Sequence, residues 1–258
     1  MFKCLCVLNI IKFIVKHMVY IISFDPATKS LATSIVYYNL GITDEIHKLY
    51  NNYLLKKVQI LSSEITDLAI NNLLQEYIIL LDQVIKLNSE KIKIMYLSVV
   101  DLIPNKKVVE TSIVDRTSAL YNYLIKLDVE ITKYQKNDCI FLLEFQMGPN
   151  IKSGTVASQI MYHLMKYENK SRNNIILTGP SLKNKVMIGG KESAYAEFIE
   201  RYKTNYACNK AHAKFNFIKL LEYLKDNDRL KNISKKNHDD IADSVLMGLS
   251  YVLKNLSF

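Results

Sequence analysis

One stretch near the C-terminus constrains this chain more than any other. It runs Lys235, Lys236, Asn237, His238, Asp239, Asp240, Ile241, Ala242, Asp243, Ser244, Val245, Leu246, Met247, Gly248, Leu249, Ser250, Tyr251. After Asp239, the residues Ile241, Val245 and Leu249 recur every four positions, as do Ala242 and Leu246. That spacing predicts a helix, and Asn237 or Asp239 can cap its start. Asp240 and Asp243 are three apart and so share one face, one turn in. That face abuts apolar positions, so the two carboxylates point at the body of the protein. Carboxylates beside a core repel each other and lose hydration unless a positive charge lies between them. A hard divalent cation such as Mg²⁺ meets that need. The alternative is that both residues complement the helix N-terminal dipole. This helix alone does not choose between the two.

Two further carboxylates stand where a carboxylate is costly. Val19–Phe24 is a continuous apolar run that ends in Asp25 and Pro26, the pattern of a buried central strand with an acid at its end. Asp25 can equally be a turn residue before proline. Cys139–Phe145 is a second buried strand, and Glu144 lies among Phe141, Leu142, Leu143 and Phe145. The alternative is that Glu144 lies on an alternating, solvated face. Strict alternation fails there, which favours a buried acid, and burial without a partner is expensive. Three more segments read as strands: Leu31–Tyr38, Ile92–Leu102 (stopped by Pro104 and Asn105) and the short Ile175–Leu177.

Helices fall between them. Ile65, Leu68, Ala69, Leu73, Tyr77, Leu80, Leu81 and Val84 have helical spacing, which predicts an amphipathic helix packed on the core or on a partner. Leu54–Leu61 fits a strand or a helix equally. A helix from about Ser112 to Gln135 carries the stripe Leu120, Leu124, Leu127 and Ile131, and Ser153–Lys166 carries Val156, Ile160 and Leu164. Glu197–Asp226 reads as largely helical. On such a helix Lys203, Lys210 and Lys214 lie seven and eleven positions apart and share one face. Ser181–Gly190 reads as a basic loop with Lys183 and Lys185, followed by Lys191. Lysines so placed suit a phosphate backbone or serve as a solvated surface.

The charge balance agrees with an anionic partner. Lys and Arg number 34 against 25 Asp and Glu, a net charge of +9. Cys4, Cys6, Cys139 and Cys208 have neither zinc spacing nor a disulfide framework, so we read reduced thiols in an intracellular protein. Residues 1–17 are apolar with scattered Lys and are too interrupted to span a membrane. We read them as an extension ahead of a single domain over 18–258, because Met18 opens directly onto the first strand.

In order, these are a strand with Asp, two strands, a helix, a strand with Glu, and a late helix with paired Asp residues. This resembles the RNase H-like fold, and within it the RuvC-type Holliday junction resolvases, in particular the branch of poxviruses and other large DNA viruses. The stretch from Ile22 to Ala32 looks like the family's first strand and turn, with Ala27 where the family usually has glycine. Leu143, Glu144, Phe145 and Gln146 are similar to its fourth-strand motif. The run from Lys235 to Ser244 looks like its final acidic motif, in which Asp239 competes with Asp240 for the register.

The resemblance implies an α/β fold with a central mixed five-stranded sheet flanked by helices, and residues 40–92 as a helical insert outside the family pattern. It implies Asp25, Glu144, Asp240 and Asp243 as catalytic carboxylates that bind metal, two Mg²⁺ ions per site with Mn²⁺ able to substitute, and Lys210 as a catalytic lysine. Lys183, Lys185, Lys203 and Lys214 are the candidate DNA contacts. The implied activity is paired, symmetric nicking of four-way DNA junctions by a homodimer, leaving 5′-phosphates, in recombination or in resolution of replicated viral DNA. The site of action is then viral DNA replication or, by similarity to fungal resolvases, the mitochondrion, with no membrane partner. Two other readings stay open: a different RNase H-like nuclease, and a non-catalytic junction-binding protein. An actin-like kinase needs glycine-rich phosphate loops, and none of the seven glycines forms one.

Overall fold

The computed structural model describes residues 18–27, 29–62, 67–104, 107, 110–134, 138–145, 151–168, 174–183, 186–232 and 238–255. The extension at 1–17 and Lys185 lie outside the described residues. Five strands are formed: β1 (Met18–Pro26), β2 (Ser30–Asn39), β3 (Ile92–Asp101), β4 (Asp138–Glu144) and β5 (Asn174–Thr178). They make one sheet in the order β3-β2-β1-β4-β5. β1 and β2 pair antiparallel, as do β2 and β3. β1 pairs parallel with β4, and β4 with β5. The central pair, β1 and β4, is covered on both faces, which is why each reads as an unbroken apolar run.

Alternation along the strands divides the interior into two cores. Ile22, Phe24, Leu31, Ile35, Phe141 and Leu143 face one side. They pack against α3 (Ile113–Thr132) and α4 (Ile151–Glu168) through Leu120, Leu124, Leu127, Val156 and Ile160. The predicted stripes of both helices are the buried ones. Ser112 caps α3, accepting from the Asp115 backbone N–H at 3.0 Å. Val19, Ile21, Val36, Tyr38, Ile140 and Leu142 face the other side, against α2 (Asp67–Leu87), α6 (Asn205–Tyr223) and α8 (His238–Asn255). The late helix α8 is buried from Ile241 to Ser250 without interruption. It lies close on the sheet because residue 248 is glycine. A Cβ there would sit 3.2 Å from the Ser23 hydroxyl and 3.3 Å from Ile21.

Three expectations are refined. The segment left open at Leu54–Leu61 lies within a helix, α1 (Leu40–Ser62). The α2 stripe is rotated from the expected one: Leu73, Tyr77, Ile78, Leu81 and Ile85 are buried, whereas Leu68 and Leu80 are exposed. The insert thus packs α2 onto the protein's own core. Glu197–Asp226 is not one helix. α5 (Tyr195–Arg201) ends before a break, and α6 starts afresh at Asn205 behind a Thr204 cap that accepts from the Ala207 N–H at 3.2 Å. A short helix, α7 (Asn227–Asn232), follows α6. Lys203 lies in the break, so the three lysines do not form a stripe on one helix.

Candidate active site

Strand periodicity brings the first two carboxylates together. On β1, Val19 and Ile21 face α8, and the same parity carries on to Ser23 and Asp25. On β4, Ile140 and Leu142 face the same side, so Glu144 does too. The parallel register pairs Ser23 with Leu142 and Phe24 with Leu143. Continued by one residue, it sets Asp25 beside Glu144 at the C-terminal ends of the two central strands. Helix α8 crosses this face and lays its first turn over the same point, adding Asp240 and Asp243. The turn from β1 into β2 is closed by the Ala27 N–H donating to the Ser30 carbonyl at 2.8 Å. Among described non-glycine residues only Lys225 has positive φ, so Ala27 meets no steric penalty where the family usually has glycine.

Two lysines hold the carboxylates together. The Lys183 ammonium lies 2.7 Å from Asp243 Oδ2, 3.1 Å from Glu144 Oε2 and 3.8 Å from Asp25 Oδ2. The Lys210 ammonium lies 2.8 Å from the same Asp243 oxygen and 3.3 Å from Asp240 Oδ1. Ser30 donates its hydroxyl to Asp240 Oδ2 at 3.0 Å. Asp25, Glu144 and Asp243 are buried, at 7%, 2% and 2% exposure, while the Asp240 side chain keeps 32%. Asp240 and Asp243 therefore do more than complement a helix dipole. No contact of Asp239 with the cluster occurs among the described residues, so Asp240 and Asp243 are the pair that joins it.

The electrostatics follow from gathering four acids, three of them buried, around two bases. Burial pushes the Asp25 carboxyl well above the usual carboxylate range. Lys183 opposes that shift, and the neighbouring Glu144 and Asp243 reinforce it. Burial works against the Lys183 charge, but Asp25, Asp243 and Glu144 outweigh it and hold the ammonium above the ordinary lysine value. Lys210 is raised in the same way, against its burial, chiefly by Asp243 and Asp240.

The sequence-based assignment is met unevenly. Asp25, Glu144, Asp240, Asp243 and Lys210 come together. Lys183, expected among the DNA contacts, instead reaches into the carboxylates. Lys203 is exposed in the break before α6, and Lys214 is half-buried one turn beyond Lys210. Two participants were missed: Lys183 as a counter-charge, and Ser30. The signal for Lys183 lay in the sheet order, because β5 ends at Thr178 beside Glu144. A turn closed by the Leu182 N–H on the Gly179 carbonyl at 3.1 Å then returns the chain to that edge.

The donor set is the kind a hard divalent cation takes: carboxylate oxygens from separate elements, with negative charge in excess. As they stand, the carboxylates surround the lysine ammoniums. No group of three or more Asp, Glu, His or Cys side chains among the described residues is spaced to enclose an ion. The residues fit a metal by chemistry, provided the Lys183 ammonium yields its place.

No protein-family model and no curated protein matches the chain. Solved structures do. The chain is similar to the Fowlpox virus resolvase in complex with substrate Holliday junction DNA, at 19% identity over 92% of this chain and 99% of that one, with a TM-score of 0.43. It is also similar to the T. thermophilus RuvC in complex with Holliday junction substrate, at 10% identity over 91% and 93% of the two chains, again with a TM-score of 0.43. The single mixed five-stranded sheet with helices on both faces has the architecture expected from the motifs. No helix among the described residues is long and apolar enough to cross a membrane.

Proposed function

We propose that this chain is a metal-dependent endonuclease that nicks four-way DNA junctions. One observation carries the reading: Asp25, Glu144, Asp240 and Asp243, drawn from three distant segments, converge with Lys183 and Lys210 in one cluster at the strand ends. A purely structural role for such a cluster is a poor bargain, since a well-packed apolar set there is commonly as stable or more so. The junction as substrate, rather than other nucleic acid, rests on the motif resemblance, and the net charge of +9 suits either.

In this reading the four carboxylates would hold divalent metal, two Mg²⁺ ions with Mn²⁺ able to substitute. Such ions, when bound, activate a water and offset charge on the phosphate. The chain's own contribution is rigidity and charge. β1, β4 and α8 fix the acids, so little reorganisation is needed at the moment of reaction. Lys210 sets a positive charge beside the site, where negative charge develops on the phosphate. Lys183 offsets the charge of the acids in the metal-free protein. Each chain has one such set, so paired nicks need two chains, and a two-fold homodimer matches the symmetry of a junction.

The test is incubation with labelled four-way junction, linear duplex and RNA–DNA hybrid, in Mg²⁺ and in EDTA, with nick mapping and light scattering. Symmetric 5′-phosphate nicks in the junction, dependent on Mg²⁺ and made by a dimer, are expected. Preference for the hybrid would move the activity to another RNase H-like nuclease. Junction binding without cutting would make the chain a binding protein.

A further inference from the structure

The geometry assigns Ser30 as the positioning residue that orients Asp240 in the site, an assignment that rests on the proposed metal-dependent reading. Asp240 differs from the other three acids. Its side chain is 32% exposed, against 9% for Asp25, 2% for Glu144 and 3% for Asp243. The buried acids have their rotamers set by packing, whereas Asp240 depends on its hydrogen bonds. Each of its oxygens has a donor: Lys210 at Oδ1, 3.3 Å away, and the Ser30 hydroxyl at Oδ2, 3.0 Å away. An ionised carboxylate only accepts, so the serine donates.

Ser30 is well anchored for this work. It is the first residue of β2 and pairs with Asp101 of β3, and its carbonyl closes the turn that follows Asp25. One short segment therefore carries Asp25 at one end and orients Asp240 at the other, although Ser30 and Asp240 are 210 positions apart in sequence. The two donors are not equivalent. Lys210 is a long, flexible cation shared with Asp243, and in the proposed reaction it faces the phosphate. The hydroxyl is short, neutral and fixed to the sheet, so it sets the carboxylate's direction without competing for a cation's charge. Groups of this kind, one step behind a metal's carboxylates, typically change metal affinity or activity by about 10–100-fold when removed.

The experiment compares wild type, Ser30→Ala, Ser30→Cys and Ser30→Thr. Mn²⁺ binding is measured by calorimetry, junction nicking is measured against Mg²⁺ concentration, and the melting temperature is measured without metal. Ser30→Ala and Ser30→Cys are expected to weaken Mn²⁺ binding by about tenfold and to shift the Mg²⁺ half-saturation upward to match. Junction binding in EDTA stays unchanged. Ser30→Thr keeps the hydroxyl and restores both readouts. If Ser30→Ala melts lower yet binds Mn²⁺ as wild type does, Ser30 is only a tether for α8 and the assignment falls. It falls as well if Ser30→Thr melts normally but fails to restore binding. A wild-type protein that nicks junctions in Mg²⁺ while both deletions leave the metal curve unmoved sinks the assignment alone. A wild type that neither binds Mn²⁺ nor cuts sinks the functional reading and the assignment with it.

Discussion

The two faces of the sheet are built by the same strands, yet they are opposite in chemistry, and one carboxylate on each shows how. On the α3 and α4 side, Asp128 receives hydrogen bonds from Lys166, Tyr167 and His163, the last at 2.9 Å. Burial raises its carboxyl, but those donors outweigh burial and hold it below the usual value. On the α8 side, burial dominates at Asp25, which is held well above that value despite Lys183. One acid is satisfied at the rim of an apolar core. The other is sunk among like charges. The α8 face thus buries acids among like charges, whereas Asp128 on the other side keeps its donors. That concentration of buried charge is what a site needs and stability alone does not.

The widest gap between the faces should appear in activity. Glu144→Gln is expected to abolish junction nicking, a loss of about 10³-fold or more, equal to about 4 kcal/mol of barrier. It should leave junction binding in place, because duplex affinity comes mainly from lysine contacts to phosphate. Gel-shift and cleavage assays on one preparation check both halves, and undiminished cutting would move the chemistry off this face. The converse holds across the sheet. Leu124→Ala, on the buried face of α3 in the apolar core, should cost about 2–5 kcal/mol of stability, read by urea unfolding. Per folded molecule its nicking should match wild type.

A smaller effect should appear in pH dependence. The folded pKa of Asp25 lies above its unfolded value of 3.8. Between those two values the folded state binds more protons than the unfolded one, so this group's contribution falls as pH rises through the window. In metal-free protein, Asp25→Asn should therefore remove a loss of stability that sets in above about pH 4. A variant with an unchanged pH–stability curve would show that Lys183 compensates Asp25 fully. Asp128 has the opposite sign. Its folded pKa is depressed, so its contribution is present above the unfolded value and is lost as pH falls through the folded one. Asp128 is partly solvated, which reduces the effect, and Asp128→Asn should cost about 1 kcal/mol or less at neutral pH. Calorimetry between acid and neutral pH measures both carboxylates in one series.

Much of this was legible in the sequence, where physical chemistry leaves a local trace. Unbroken apolar runs along Val19–Phe24 and Cys139–Phe145, carrying Asp25 at the end of one and Glu144 within the other, marked buried strands with costly acids. The four-residue repeat from Ile241 to Leu249 marked α8 and put Asp240 and Asp243 on its inner face. The stripes of α3 and α4 were correct residue for residue, because a helix with a single apolar face has only one way to bury it. The α2 stripe was misread where apolar residues lie on several faces. Leu68, Leu73, Leu80 and Leu81 offer more than one stripe, and only packing against the sheet chooses among them.

What tertiary structure alone decided is which charges meet. Lys183 read as one lysine in a basic loop, and Ser30 as part of the turn before the second strand. Lys183 reaches Glu144 across 39 positions and Asp243 across 60, and Ser30 reaches Asp240 across 210. Contacts of that kind depend on strand order and on how a helix crosses the sheet, and neither has a period or a spacing along the chain. Local patterning determined the elements and the acids they carry. The three-dimensional fold determined the partners of those acids, because Coulomb energy and hydrogen bonding depend on distance in space.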